Sequence, residues 1–458
     1  MIGVSHSWES RLGGNSGRRA ALAATFVVAA VVITLEVSAW KDARLWLGKV
    51  RLPRHILALA QRSGYKAGLA YLAQGSKLFE RGEIDGAVDR YRRAIQLYPE
   101  STEAHNNLGF ILAARGQMDE AVAHYREALR IDPNFVLAHV NLGDALLGRG
   151  KTDEAIQHFR AALEIKPDRA SAHYSLGRAL VEKGLVAQAV KEYGEAIKLS
   201  PGYAAAHYDL GNTYFKSGEL GKAVEQYREA VKANPADAVA YFNLGNALFR
   251  MGDVEGAVEQ FRQAVKYDGR YAEAFSNLGT ALEAGRKSEE AIRQYRRAIE
   301  VDPRYAPARY NLGNALLGKG EIDRAVEAYR SALKIDPRYV EARTNLGSAL
   351  DLKGNKPEAA EQYRLAIKIN PGYAPAHFNL GLLLGEQGDV EEGIEQLRQA
   401  LKADPADVEA HYQLGRFLAH VGKPDEAARE FRQALHIDPG FTRAQQSLEQ
   451  LGASKEKE

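Results

Sequence analysis

A period of 34 residues runs through most of the sequence and constrains its fold more than any other feature. Alanine recurs at this spacing without exception from Ala94 to Ala434, and glycine recurs from Gly75 to Gly415. Proline follows the same period with one interruption, at Gly269. A unit of this length cannot bury its apolar face alone, so neighbouring units must stack to complete a core. The sequence therefore predicts a solenoid whose stability depends on contacts between neighbours.

Each unit is predicted to form two antiparallel helices, as residues 306–339 illustrate. Leu312 and Leu316 lie at helical spacing and precede a Gly-Lys-Gly sequence, which marks the end of a first helix. In the second helix, Ala325 and Tyr329 lie on one face, so that small residues let the helices approach and the ring fills the remaining space. An Asp-Pro pair ends this helix, because proline lacks an N–H donor and restricts the residue before it.

This pattern resembles the tetratricopeptide repeat family, which has leucine and glycine at positions 7 and 8, alanine at 20, an aromatic residue at 24, alanine at 27 and proline at 32. In residues 306–339 these positions are Leu312, Gly313, Ala325, Tyr329, Ala332 and Pro337. The resemblance implies an all-α fold, a right-handed superhelical solenoid of helical hairpins. It covers eleven repeats over residues 68–441, with the bounds 68–101, 102–135, 136–169, 170–203, 204–237, 238–271, 272–305, 306–339, 340–373, 374–407 and 408–441.

Some repeats depart from the family pattern. The tenth repeat has Gly393 at position 20 and Leu397 at position 24, from which we expect looser packing there. The sixth repeat has Gly269 where others have proline, and the seventh has Arg286 in place of the glycine between the helices. Residues 442–458 begin like another repeat and then stop, which predicts a capping helix followed by a disordered tail.

The sequence contains no recognisable catalytic motif. It has no cysteine, no phosphate-binding glycine loop and no HExxH or GxSxG sequence. Only 84 residues lie outside the repeats, too few for a catalytic domain in addition to the N-terminal segment. We therefore expect a non-enzymatic protein without catalytic residues, cofactor or metal.

Histidine recurs at position 4 of the repeats and invites comparison with a metal site. Successive histidines lie one repeat apart, whereas the ligands of a metal must converge on one ion. We therefore expect packing residues, each with one hydrogen-bonded ring nitrogen. The six are His105, His139, His173, His207, His377 and His411.

The N-terminal segment has the composition of a membrane span. Residues 20–35 carry no charge, and the stretch extended to residue 40 has 21 residues, which as a helix would measure about 30 Å, the thickness of a bilayer core. We expect a single-pass transmembrane signal-anchor at residues 20–40. A tail at residues 1–19 precedes it, and a basic juxtamembrane linker at residues 41–67 follows.

Two properties of this segment stay open. The sequence Val37-Ser38-Ala39 also suits cleavage of a secretory signal, which would release an exported soluble protein. Cations flank the apolar stretch on both sides, so the side of the membrane that holds the repeats is unresolved.

The N-terminal segment and the repeat array carry net charges of opposite sign. Residues 1–67 have a net charge of +7, and residues 68–458 have a net charge of −5. Binding to nucleic acid is driven by clustered Lys and Arg, so we expect no nucleic-acid partner for the repeat array.

Residues at positions 5, 6 and 9 of the repeats are predicted to bind extended peptide segments on the concave face, which the family forms from positions 2, 5, 6 and 9. Position 6 is most often asparagine, whose amide can pair with a peptide backbone, and aromatic residues at position 5 would supply apolar pockets. The row of asparagines at position 6 resembles the asparagine ladder of O-linked N-acetylglucosamine transferases, although no catalytic domain like theirs is present. The predicted residues are Asn107, Asn141, Tyr174, Tyr208, Asp209, Asn212, Phe242, Asn243, Asn246, Asn277, Tyr310, Asn311, Asn314, Asn345, Phe378, Asn379 and Tyr412.

The residues at positions 6 and 5 also have explanations that need no ligand. Asparagine is common at position 6 of the family, and aromatic residues at position 5 could serve packing alone. The leading hypothesis is a membrane-anchored scaffold that binds extended segments of other proteins. The alternative is an accessory subunit that positions an envelope or polysaccharide biosynthesis enzyme. Self-association through the two open ends of the array is compatible with either.

Overall fold

A row of helices makes up the described part of the protein. This computed structural model describes residues 54–455, with the side chains of residues 64–452. These residues form 23 α-helices and no strand, which confirms the predicted all-α repeat fold. They fall into two compact units that divide between Pro201 and Gly202.

Odd-numbered helices are the first helices of the repeats, and even-numbered helices are the second. The first helices are α1 (Arg54–Glu80), α3 (Thr102–Ala114), α5 (Val136–Leu147), α7 (Ala170–Glu182), α9 (Ala204–Lys216), α11 (Ala238–Arg250), α13 (Ala272–Ala284), α15 (Ala306–Gly318), α17 (Val340–Leu352), α19 (Ala374–Gln387) and α21 (Val408–His420). The second helices are α2 (Ile84–Leu97), α4 (Met118–Ile131), α6 (Thr152–Ile165), α8 (Val186–Leu199), α10 (Leu220–Ala233), α12 (Val254–Tyr267), α14 (Ser288–Val301), α16 (Ile322–Ile335), α18 (Lys356–Ile369), α20 (Val390–Ala403) and α22 (Pro424–Ile437). A terminal helix, α23 (Thr442–Lys455), follows the last repeat.

The first helix begins before the predicted array. It starts at Arg54 and is 27 residues long, so part of the segment 41–67 that is predicted as a linker belongs to the first helical pair. Tyr65 packs edge-on against Tyr98 just after α2, with 4.9 Å between the ring centroids. The predicted membrane segment at residues 20–40 lies outside the described residues. Among residues 54–455, no helix has the length and apolar character needed to cross a bilayer.

A residue in the left-handed conformation joins the two helices of each pair. In the eighth repeat Gly320 has a φ of 77°, and the N–H of Glu321 donates to the Leu316 carbonyl at 2.9 Å, which forms a Schellman motif. Glycine adopts this conformation without steric cost. In the seventh repeat the same conformation falls on Arg286, with a φ of 60°. The turn is therefore kept even where the sequence does not favour it.

Within each pair, a small residue of the first helix contacts a large residue of the second. A Cβ on Gly211 would lie 2.7 Å from the Tyr227 ring, so only glycine fits. Tyr227 is 1% exposed, and the neighbouring Ala223 and Ala230 are also buried. The packing thus follows the predicted stripe of small, large and small residues.

The first helices lie on the inner side of each curved unit. From α3 to α7 in the first unit and from α9 to α21 in the second, successive first helices contact each other, as α3 contacts α5 and α15 contacts α17. Within each unit, the second helices contact the first helices of their own and the next repeat, and among residues 54–455 no two successive second helices are in comparable contact. A row packed closely along one side curves toward that side. The first helices therefore form the concave face within each unit.

The tenth repeat is packed more closely than its sequence suggests. A Cβ on Gly393 would lie 2.9 Å from the carbonyl oxygen of Gly381, so α19 and α20 approach to backbone contact. The Phe417 ring of the next repeat lies against Gly393 and Gly385, and Leu397 is fully buried. The expectation of looser packing is wrong, because the neighbouring repeat supplies the missing volume.

The terminal helix α23 covers the apolar end of the last repeat. Its Ala444 is fully buried, and Leu448 packs against a core that includes Leu418 and Phe431. A helix that hides the last apolar face performs the capping role that solenoids require.

Candidate functional site

Asparagine side chains link neighbouring repeats along the concave face. In the second unit, the Nδ2 group of Asn277 on α13 donates to Oδ1 of Asn246 on α11, at 2.9 Å. Position 6 of one repeat therefore binds position 9 of the preceding repeat, and the row forms a ladder between repeats. The equivalent pairs in this unit are Asn243 with Asn212 at 3.2 Å, Asn345 with Asn314 at 2.8 Å and Asn379 with Ser348 at 3.2 Å.

Position 5 of the preceding repeat also accepts hydrogen bonds from the ladder. Besides their position-9 partners, Asn243 donates to the Tyr208 hydroxyl at 2.9 Å and Asn345 to the Tyr310 hydroxyl at 3.3 Å. Asn311 donates to the Ser276 hydroxyl at 3.2 Å, and in the first unit Asn141 donates to Asn106 at 2.9 Å. Asn106 in turn donates to Asn107 at 3.2 Å. The period gives no signal for Asn106 and Ser276, since the residue type at position 5 changes between repeats. The predicted set misses both.

Tyrosine hydroxyls support the ladder from within each repeat. Tyr227 donates to Oδ1 of Asn212 at 2.7 Å, and Tyr329 donates to Oδ1 of Asn314 at 2.7 Å. Each of these carbonyl oxygens thus accepts one bond from its own repeat and one from the next. Burial raises the pKa of both hydroxyls, which keeps them protonated as donors. The ladder therefore joins the core of a repeat to the interface between repeats.

The position-6 amides keep an acceptor at the concave surface. Among the described residues, no donor is hydrogen-bonded to Oδ1 of Asn243, Asn277 or Asn345, and these side chains are half-buried. An extended peptide presents backbone N–H donors to such a surface. The structure thus divides the two halves of the amide: Nδ2 holds the repeats together, and Oδ1 is available to a ligand.

The position-5 aromatic residues pack against the core of their own repeat. The rings of Tyr208 and Tyr310 lie 6.1 Å, between centroids, from the buried rings of Tyr227 and Tyr329. Phe242 is only 6% exposed. These contacts fix the rings in place beside the ladder. The remaining predicted residues at positions 5 and 6 are half-buried on first helices, namely Tyr174, Asp209, Phe378 and Tyr412.

A second row of tyrosines, absent from the predicted set, lies at position 34. Burial raises the pKa of Tyr305 and Tyr339 to about 12. Tyr271 and Tyr373 occupy the same position, and none of the four hydroxyls is hydrogen-bonded to another described residue. A periodic signal exists in the sequence, because an aromatic residue ends seven of the eleven repeats. These aromatic residues lie in the loops between repeats rather than on the first helices.

The position-4 histidines bridge two elements. Nε2 of His411 lies 3.2 Å from the Pro405 carbonyl and Nδ1 lies 2.6 Å from Glu430, whose hydrogen bond raises the pKa of His411. In the second repeat, Nδ1 of His105 lies 2.9 Å from Nδ1 of His124, and burial lowers the pKa of both rings. The expectation of one bonded nitrogen is wrong, because each ring bridges the preceding loop and the second helix.

Comparison with known families covers nearly the whole array. The family model described as the C-terminal domain of cilia and flagella-associated protein 70 matches residues 168–377. Models of the tetratricopeptide repeat match residues 378–440, 100–168 and 75–114. The chain belongs to the tetratricopeptide repeat family. A tetratricopeptide array of this kind is an architecture for protein–protein interaction.

Several solved structures are similar to this tetratricopeptide chain. The crystal structure of MamA is 28% identical over 35% of this chain and 95% of its own, with a TM-score of 0.35. YrrB, described as a TPR protein with an unusual peptide-binding site, is 25% identical over 41% of this chain and 96% of its own, with a TM-score of 0.35. Yeast Tom70 is 17% identical over 86% of this chain and 96% of its own, with a TM-score of 0.43. A comparison with curated proteins gave no match.

Proposed function

We propose that this tetratricopeptide protein is a non-enzymatic scaffold that binds extended segments of other proteins on its concave face and is anchored in a membrane by residues 20–40. The asparagine ladder carries the first part of the proposal, because it repeats a hydrogen-bond acceptor once per repeat along one face. The uncharged length of residues 20–35 supports the second part.

The ladder suits the recognition of a peptide backbone rather than of particular side chains. Each Nδ2 group is already held by the preceding repeat, so an incoming segment orders few side chains when it binds Oδ1. Aromatic rings beside the amides, such as Tyr208 and Tyr310, add apolar contact for the side chains of that segment.

The proposal is tested by selecting peptides from a random library displayed on phage, with the full-length protein in detergent as the target. The triple variant Asn243→Ser, Asn277→Ser and Asn345→Ser removes three amide acceptors. Serine keeps a hydroxyl donor, and it occurs naturally at position 6 of the fourth repeat as Ser175. The Kd of the selected peptides should rise by at least about tenfold, while helical content stays unchanged.

A matched triple variant on the second helices controls for general effects of substitution. Glu225→Ser, Arg293→Ser and Glu327→Ser change exposed residues on the opposite side of the array and should leave the Kd unchanged. Equal weakening by both triples, or no weakening by the asparagine triple, would contradict binding at the ladder.

The membrane anchor has its own test. Full-length protein should stay with the membranes of its producing cells after alkaline carbonate extraction, and a variant without residues 20–40 should be released. Release of the full-length protein would contradict the anchor without affecting the peptide site.

A further inference from the structure

The terminal helix places an arginine in a site made of one carboxylate and two aromatic rings. Arg443 on α23 donates from Nη2 to Oε2 of Glu409 at 2.6 Å and from Nη1 to Oε1 at 3.4 Å. Its guanidinium carbon lies 5.0 Å from the centroid of the Tyr412 ring and 4.8 Å from that of Phe441. Paired hydrogen bonds and stacking on rings suit a planar guanidinium better than an ammonium.

The carboxylate of this site recurs at the same position of two other repeats in the second unit. Glu409 occupies position 2 of the eleventh repeat, and Glu341 and Glu273 occupy position 2 of the ninth and seventh. A position-34 tyrosine lies in the loop on either side of the repeat that carries Glu341, namely Tyr339 and Tyr373. Together with burial, the charge of Glu341 raises the pKa of Tyr339 and Tyr373.

The seventh repeat shows the same arrangement. Burial and the charge of Glu273 raise the pKa of both Tyr271 and Tyr305. Two carboxylates, each flanked by a pair of half-buried phenol rings, therefore lie two repeats apart on the second unit.

These two carboxylates lack the internal arginine that pairs with Glu409. Arg443 comes from position 2 of the following unit, and after Glu273 and Glu341 that position holds Pro307 and Pro375. Both glutamates are exposed, and neither forms an ion pair within the described part of the chain. An uncharged proline leaves the carboxylate open to a cation from outside the chain.

We infer that Glu273 and Glu341 bind the guanidinium groups of two arginines in an extended segment of a partner protein. This inference rests on the proposed function and narrows its ligand to cationic segments. Arg443 shows within the same chain that a guanidinium pairs with a glutamate at position 2 and stacks on the ring at position 34 of the same repeat.

The test uses fluorescently labelled peptides of equal length, built on the same Gly-Ser-Pro background sequence. Each carries two arginines, two lysines or two citrullines, and the number of residues between the two is varied. Fluorescence anisotropy with the full-length protein should show the tightest binding for arginine at one preferred spacing. Glu273→Gln and Glu341→Gln should each weaken the arginine peptide by about tenfold and leave the citrulline peptide unchanged. Glu225→Gln, on an exposed second helix, is the matched control.

The outcomes separate this inference from the proposed function. Equal binding of the arginine and citrulline peptides would overturn the cation site and leave peptide binding intact. Absence of binding by every charged and neutral peptide would also overturn it, and the phage selection then decides the proposed function independently. Arg443→Gln provides a second measurement, because it exposes Glu409 and should tighten binding of a peptide with three arginines.

Discussion

At the scale of single residues, Arg286 occupies a backbone conformation that its side chain disfavours. Its φ is 60°, whereas glycine holds the equivalent place in the other ten repeats. A left-handed conformation costs an L-residue about 1–2 kcal/mol, partly offset by the lower entropy of the unfolded chain. Arg286→Gly should therefore raise the free energy of unfolding by about 1 kcal/mol, seen as a higher urea midpoint. Gly320→Ala, the converse change, should lower the free energy of unfolding. A lower urea midpoint for Arg286→Gly would contradict the claim that the backbone at Arg286 is strained.

Arg309 has a buried donor without a partner. Its Nη1 atom is buried and donates to no hydrogen-bond acceptor among the described residues, although Nε donates to Ser331 at 2.8 Å. In the ninth repeat, the equivalent Arg343 donates to Gln362 at 3.1 Å, and the eighth repeat has Ala328 at that position. Ala328→Gln should supply the acceptor and stabilise the fold by about 1 kcal/mol. Gln362→Ala should cost a similar amount in the same urea titration, and no gain from the glutamine would contradict this account.

The histidine pairs predict opposite responses to pH. The pKa values of His105 and His124 are lowered in the fold, so the unfolded chain binds protons first and the second repeat loses stability as pH falls below about 6.5. The pKa of His411 is raised, so its stabilising contribution is complete below about pH 6.5 and is lost as pH rises through the folded pKa.

His124→Gln tests the acid-sensitive pair. Glutamine pairs with histidine at this position in the fifth repeat, where Gln226 lies 2.9 Å from His207. The variant should lose less stability than the natural protein between about pH 7.5 and about pH 5.5, because one titrating ring is removed. Hydrogen exchange of the second repeat measures this locally, and identical losses in both proteins would argue against the histidine pair as the cause.

At the scale of helices, one repeat shows that the family residue is not always the stable one. Alanine is the usual residue at position 20, but a Cβ on Gly393 would meet the Gly381 carbonyl at 2.9 Å. Gly393→Ala should therefore destabilise the tenth repeat by about 1–3 kcal/mol through overpacking. Gly194→Ala is the matched control, since nothing lies within 4 Å of its Cβ and alanine favours the helix by about 1 kcal/mol. Thermal melts of the two variants should shift in opposite directions, and a stabilised Gly393→Ala would show that the helices separate without cost.

The helices were predictable because the same local signals repeat in phase. A residue such as Tyr227 has the same neighbours in every copy, so one repeat explains the others. The packing of Gly393 was not predictable, because its space is filled by Phe417, which comes from another repeat and breaks the period. Likewise, the bond from Asn311 to Ser276 depends on a pairing between repeats that one repeat's pattern does not contain.

At the scale of the whole molecule, a single period determines both the core and the candidate binding face. The asparagine row could be read from the sequence, but its double role, with Nδ2 holding the repeats and Oδ1 exposed, depends on contacts between neighbours such as Asn277 and Asn246. The position-34 tyrosines lie in the loops between repeats, and the arginine that pairs with Glu409 comes from the terminal helix, so the pattern of the first helices alone does not indicate either.

The most direct measurement of the central claim is a crosslinking map of a selected peptide on the full-length protein. A photoreactive group placed at successive positions of the peptide, followed by mass spectrometry, identifies the helices that it contacts. We predict crosslinks along the first helices of the second unit, from α9 to α21, in the order of the peptide's residues. Crosslinks concentrated on the second helices, or at the two ends of the array, would contradict peptide binding on the concave face.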